Sequence, residues 1–577
     1  MKLWQFLLGL VLGALILAMP PSQWQRSPLS PLQDITVQLD GRKKPLDTVA
    51  REEVAQIHGR ANYTAANGER LGYLDTYLSL WFNTRDWNQE PFILLSYKPL
   101  KERLDFEVER KYFTFEELAT SDLSEIVREA ERKSADGIDL SRDEREATTV
   151  GQRLEAMLGI VGSTALPLVP HPDDIKGTWL GLERATDDYE AEQVAPILAD
   201  FQMLRQTYRD TPEHLMALGP LAANFQEKLA ELSPQVYPDE AVMAREVRFA
   251  QLHPFGKAWK LYAIAFCLVL AAFTLPGFDC YGSSLGIFAA GLAMHGYGFF
   301  ERMQIAGRPP VTNMYESVVW VSFGIAAVAL LFELTSKARY YLLAAAPLAA
   351  VCLVLADSLP AVLDPSISPL VPVLRDNFWL SVHVPTITLS YASFALALGL
   401  GHLILGNYLL APQATERIRS LSQLNYRVLQ VGVLLLTTGI ILGGVWAHYS
   451  WGRFWGWDPK ETWALIALLC YIVPLHGRLV GWLGDFGMSV TSVVCFNAVL
   501  MAWYGVNFVL GTGLHSYGFG TGGSELAIAA CVGLDLLFVG AAAWRQRSRS
   551  MAAATAAIIQ ERSEAESSEA ESVVAKV

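Results

Sequence analysis

Beyond residue 257 the chain becomes a succession of apolar runs, each long enough to cross the hydrocarbon core of a bilayer. By run length they fall at 258–276, 283–300, 311–333, 339–357, 383–410, 424–446, 462–480, 489–510 and 525–544. Inside a bilayer every backbone N–H and C=O must find its partner within the protein, so runs of this kind are expected to be helices. A further apolar run at 3–19 follows Lys2 and reads either as a cleaved signal peptide or as a retained anchor. The lack of an A-x-A site before Pro20 and Pro21 favours the anchor. The expected fold is an all-α polytopic membrane protein of about ten spans, the N-terminal anchor included.

The organisation expected from these runs is an anchor at 1–19, a polar domain at 20–257, a multi-span membrane domain at 258–545 and a tail at 546–577. The polar domain is charge-rich and mainly helical in pattern, with helix-like stretches such as Glu116–Glu131 and Gln193–Tyr208 between Pro and Gly breaks. It shows no repeat and no catalytic constellation. The tail is rich in Ala, Glu and Ser and is expected to be disordered. A net charge of −13 argues against a nucleic-acid partner. All six cysteines lie in or beside apolar runs and none forms C-x-x-C, so no redox pair or zinc site is expected. The chain also lacks C-x-x-C-H and is not itself a c-type cytochrome.

Basic residues in the short connections set the orientation. Lys337 and Arg339, the group Arg417, Arg419 and Arg427, and the group Arg545, Arg547 and Arg549 alternate onto one side, the cytoplasm. Both termini then lie in the cytoplasm, and the opposite side receives residues 20–257, the Pro-rich 358–382 loop and the 447–461 connection. Arg302 and Arg308 break the rule mildly and are candidates for meeting anionic ligand groups, as are Arg375, Arg453 and Lys460.

From Trp451 to Trp463 the chain reads WGRFWGWDPKETW, which puts four of the sixteen tryptophans into thirteen residues. Asp458, Pro459 and Glu461 fit the N-cap, N1 and N3 positions of a capping box that opens the next span. Trp451 and Trp455 are four apart and share a face if the segment is helical. Two readings of the tryptophans compete: an interfacial aromatic belt, and a platform for a flat ligand. Their concentration in one connection, with Gly452 and Gly456 allowing close approach, favours the platform. With His383 on the preceding side and His515 on the following one, the planar ligand that fits is haem.

This string resembles the WWD domain of haem-handling membrane proteins in cytochrome c maturation. GRPPVTNMYESVVW at 307–320, DNFWLSVHVPTITLSYASFALAL at 376–398 and GVNFVLGTGLHSYGFG at 505–520 resemble the CcsA/ResC type in particular. The resemblance covers about residues 285–520; GRKKPLDTVARE at 41–52 resembles a stretch attached to some members. It implies that His383 and His515 are axial ligands of haem iron on the periplasmic face, with Trp451, Trp455, Trp457 and Asp458 forming the cofactor platform. It also implies that His476, some fourteen residues into its span and about 21 Å from the tryptophans, marks where haem comes in from the cytoplasm.

The function so implied is transport of haem b across the bacterial inner membrane and its attachment to apocytochrome c at C-x-x-C-H, as the CcsA-type component of a system II synthetase. The implied partners are a ResB/CcsB-like membrane protein, apocytochrome c and, indirectly, thioredoxin-like proteins that keep its thiols reduced. No general acid or base is evident, so thioether-forming activity follows from the resemblance alone and is expected only together with the partner. The alternative is a haem exporter or chaperone without ligation activity of its own. His295, His402 and His448 have ordinary packing readings; His295 is also a candidate second ligand inside the membrane.

Overall fold

The protein is seen here as a computed structural model that describes residues 3–18, 32–65, 67–138, 140–210, 217–360, 362–370, 372–510 and 525–574. Eight of its helices are long and apolar enough to cross a membrane: Glu240–Thr274, Met314–Ser336, Tyr340–Ser358, Asn377–Leu410, Thr415–Trp451, Pro459–Leu479, Asp485–Leu510 and Glu525–Gln560. The chain is an all-α polytopic membrane protein. Among the described residues, the strands form three short antiparallel hairpins in the polar segment: Thr36–Leu39 with Arg42–Pro45, Tyr63–Thr64 with Arg70–Leu71, and Ile93–Leu94 with Tyr112–Phe113.

The two remaining expected spans are Leu3–Ala18, only 16 residues long, and Tyr281–Ala306, whose apolar character is diluted by glycine, serine, His295 and Arg302. They pack on each other through small residues. A Cβ on Gly9 would lie 2.2 Å from the Ser283 carbonyl oxygen, and one on Gly286 2.3 Å from that of Phe6. Only glycine permits backbones to approach this closely, the usual basis of tight helix pairing in a membrane. Gln5 Nε2 donates to the Asp279 carbonyl at 2.7 Å at the end of the contact.

Most helix ends lie within a few residues of those expected. Helix Asn377–Leu410 starts earlier than its apolar run because Asp376 caps it, its carboxylate accepting the N–H groups of Phe378 and Trp379. The first long helix bends at His253, held at φ 48° immediately before Pro254. Helix Glu525–Val574 runs through the tail expected to be disordered; Ala and Glu favour helix and no proline interrupts them.

Residues 32–229 of the polar segment close around an apolar core of their own, while a second core, from Phe255 to Ala502, joins the membrane helices. Phe115–Thr120 and Leu123–Ala135 replace the expected Glu116–Glu131 helix, the break falling at Ser121 and Asp122. Arg42 grips Glu246 through both terminal nitrogens, at 2.6 and 2.8 Å, and so ties the first hairpin to the helix that leads into the membrane.

Candidate haem-handling cleft

The sequence places His383 two turns inside helix Asn377–Leu410, facing helix Thr415–Trp451. Its imidazole lies on Gly443, where a Cβ would stand 2.6 Å from Cε1. Nδ1 contacts the Gly439 carbonyl at 2.9 Å. A carbonyl only accepts, so Nδ1 is the donor in this contact, and Nε2 is the nitrogen through which the ring would ligate a metal. Metal-ligating histidines are commonly held this way, the second nitrogen fixing the tautomer. Trp446 meets the ring edge-on at 5.7 Å between centroids.

His383 opens into a cleft of about 190 Å³. One wall is helix Thr415–Trp451, with Ile440, Trp446 and Trp451. The facing wall is built from Met314 and Ser317 and from a π-helical stretch, Met501–Leu510, which supplies Trp503 and Asn507. Such π turns are frequent at functional sites. Trp503 Nε1 donates to Ser317 Oγ at 2.9 Å and locks the two elements of this wall together. Ile387, Thr388 and Tyr391 continue the lining along the His383 helix.

Of the tryptophans, Trp451 and Trp455 line the cleft, but not through helical spacing. Helix Thr415–Trp451 stops at Trp451 because Gly452 turns left-handed at φ 70°, and residues 452–458 are non-helical. The shared helical face expected for this pair is therefore absent. Trp457 does not line the cleft: it stands 70 % exposed at φ 57° and meets the edge of Trp455 at 5.8 Å. Phe454 fills the space between, seated on Gly444.

Asp458 is a helix cap, as its position suggests. Its carboxylate accepts the Lys460 N–H at 2.9 Å, and Glu461 returns the box by accepting from Asp458 and Gly456. His476 is exposed near the far end of the same helix, about 26 Å along its axis from Asp458, with Nδ1 bonded to the Ile472 carbonyl. It shares no site with His383. His515 lies outside the described residues; Asn507, eight residues before it in sequence, is on the cleft wall.

Among the basic residues singled out from sequence, Lys460 alone lines the cleft. Arg302 is buried against Glu316 at 2.8 Å and donates to the carbonyls of Pro365 and Ser366. Arg308 holds Thr312 and the Ser368 carbonyl, and Arg453 folds over Gly456 and Trp451. Their positions are explained by the loops they brace. Sequence reasoning missed Tyr391, Trp446, Trp503 and Asn507. It also missed the signal that was available, the Gly439-x-x-x-Gly443 spacing that marks a close seat on one helix face.

A family model described as Cytochrome C assembly protein matches residues 311–515, a span that encloses every residue lining the cleft. Protein NrfI of Wolinella succinogenes is 31 % identical over 501 residues, covering 83 % of this chain and 53 % of its own length. The CcsA proteins of Microcystis aeruginosa and Chlorella vulgaris are 34 % and 32 % identical over 268 and 288 residues, which is 80 % and 88 % of their lengths and 37 % and 43 % of this chain. Fold and cleft thus define a polytopic membrane protein of cytochrome c assembly. The chain belongs to the CcsA family of cytochrome c biogenesis proteins and has a role in cytochrome c maturation. It spans about half (53 %) of the length of the Wolinella protein, and the alignment with that relative runs well into the polar segment.

Proposed function

We propose that the cleft receives haem b and presents it for attachment to apocytochrome c, as the CcsA-type part of a system II synthetase that acts with a ResB/CcsB-like membrane protein. The observation that carries this reading is His383: an imidazole held through Nδ1 on the Gly439 carbonyl, seated on Gly443, in an aromatic cleft that also holds Trp451 and Trp455. The residues present fit the cargo. The lining is mainly apolar and aromatic, Nε2 is a good iron donor, and the buried indole N–H of Trp446 has no partner among the described residues.

When bound, haem supplies the iron that takes axial histidines and the vinyl groups at which thioether bonds form. His383 and His515 would hold the iron. Trp451 and Trp455 hold the flat faces and limit the orientations open to the ring. Asp458 fixes the start of the next helix and so the spacing of Trp455 from the opposite wall. The cleft and the polar segment face the periplasm of the inner membrane, as the basic connections indicate. His476, exposed at the other end of its helix, is suited to a second haem site completed by a histidine of the partner.

The test is the visible spectrum of the purified protein beside His383→Ala and His515→Ala, with and without co-expression of a ResB-like protein. A six-coordinate, non-covalent haem b spectrum that both variants lose or convert, and that added imidazole restores, is the expected result. Wild-type protein that carries no haem in haem-replete cells, even with the partner, overturns the reading. Haem that is bound but never attached to a co-expressed apocytochrome under either condition reduces the role to a carrier.

A further inference from the structure

Lys460 projects from the second position of helix Pro459–Leu479 into the cleft wall. Its ammonium donates to Asn507 Oδ1 at 3.3 Å, and it makes no ion pair among the described residues. Other buried cations of the chain are answered more fully. Lys44 has carboxylates of Asp40 and Glu52 at 2.9 and 2.8 Å, and Arg302 has Glu316. Lys101, also without a carboxylate, reaches two backbone carbonyls at 2.7 and 2.6 Å. Lys460 has one long bond to a neutral amide.

Two acids stand near it without an ion pair to its ammonium: Glu461 spends one oxygen on the N–H groups of Gly456 and Asp458, and Asp458, whose charge acts on Lys460, is engaged as the helix cap. The start of a helix adds positive potential at the same place. A buried cation with an acid nearby but no ion pair is better stabilised where a further anion meets it directly.

We propose that the Lys460 ammonium is the anchor for a carboxylate at the edge of the cleft's planar ligand. Resting on the haem reading above, that carboxylate is a propionate. One ammonium answers one carboxylate, so Lys460 sets which edge of the ring lies against the helix start. On protohaem the vinyl groups lie away from the propionate edge. Anchoring the carboxylate therefore turns the vinyl edge outward from Lys460, towards an incoming pair of thiols. Lys460 acts as a positioning residue and Asn507 holds it in place.

The full-length protein is titrated with haem and with haem dimethyl ester, in which both propionates are capped as methyl esters, for wild type, Lys460→Met, Lys460→Gln and Lys460→Arg. Wild type is expected to prefer haem by on the order of ten- to a hundredfold, the value of one charge-assisted hydrogen bond. Lys460→Met and Lys460→Gln bind both compounds alike, at the level of the ester, while Lys460→Arg keeps the preference. The axial-ligand spectrum of the bound haem stays the same throughout, because His383 is untouched. Equal binding of haem and ester by wild type overturns the assignment, as does a preference that survives both Lys460→Met and Lys460→Gln. Wild type that binds neither compound brings down the haem reading itself, an outcome distinct from either.

Discussion

His383 and Gly439 are joined across two helices by a 2.9 Å contact between Nδ1 and the carbonyl oxygen, and Gly443, one turn further on, lies under the same ring. The ring is held by a hydrogen bond and by the lack of a side chain beneath it. Gly443→Ala puts a methyl group 2.6 Å from Cε1, closer than any real contact, so the imidazole must tilt. The expected outcome is a shift of the bound-haem spectrum away from the six-coordinate form, larger still in Gly443→Val. Gly452→Ala is the control. No atom lies within 4 Å of its new methyl group, and its left-handed φ of 70° costs about 1 kcal/mol of stability without moving His383. A Gly443→Val protein with the wild-type spectrum excludes His383 as a ligand.

Asp458 separates a capping role from any other. Asp458→Ala removes the cap and is expected to cost about 1 kcal/mol, lowering the unfolding temperature of the detergent-solubilised protein. Asn is as good a cap as Asp, so Asp458→Asn recovers that stability. If haem binding recovers with it, the cap is the whole contribution of Asp458. If stability returns and haem binding does not, the charge itself serves the ligand.

In the polar segment, burial pushes the Glu53 carboxyl up from an ordinary 4.5 to about 7, with the nearby Asp40 adding to the shift and Lys44 opposing it. The native state therefore keeps a proton that the unfolded chain loses, and stability falls as pH rises from about 4.5 to about 7. Glu53→Gln, which cannot ionise, is expected to flatten that slope and to stabilise the segment by about 2–3 kcal/mol above pH 8. Protease resistance of residues 32–229 in the full-length protein, compared at pH 5 and pH 8, reads this directly. Parallel pH slopes for wild type and variant refute it.

The long spans were legible because their signal is length and apolarity, which local neighbours cannot override. Asp376 and Asp458 were legible as helix starts for a similar reason: a cap is a local device. The shape of the cleft was not. The spacing of Trp451 and Trp455 puts them on one face only in a helix; the left-handed Gly452 between them ends the helix, and both line the cleft by way of a turn. Trp503 and Asn507 reach the cleft because the last span turns π-helical, which shifts the register of its faces; no apolar run announces that. Arg302 and Arg308 looked like ligand contacts by sign and location, whereas loop carbonyls and Glu316 had already claimed them. The haem assignment itself came from the WGRFWGWD string and its flanking histidines, a pattern of residue types that hydropathy does not see.

Arg302 and Glu316 are 3 % and 1 % exposed, and between them they set the edge of the cleft. Glu316 takes the Thr312 N–H and hydroxyl, fixing the turn before Met314, while Arg302 draws in the loop at Pro365 and Ser366. Removing one charge strands the other. Glu316→Gln is expected to cost about 3–5 kcal/mol, far more than the mean worth of a surface pair. Replacing both, as Arg302→Met with Glu316→Leu, removes the stranded charge and is expected to restore most of the stability. The double variant still lacks the guanidinium bonds to Pro365 and Ser366, so that loop becomes more open to protease although the helices remain folded. Thermal unfolding in detergent measures the first effect and cleavage near Ser366 the second. A Glu316→Gln protein as stable as wild type shows that water reaches the pair and that the cleft edge is held by other contacts.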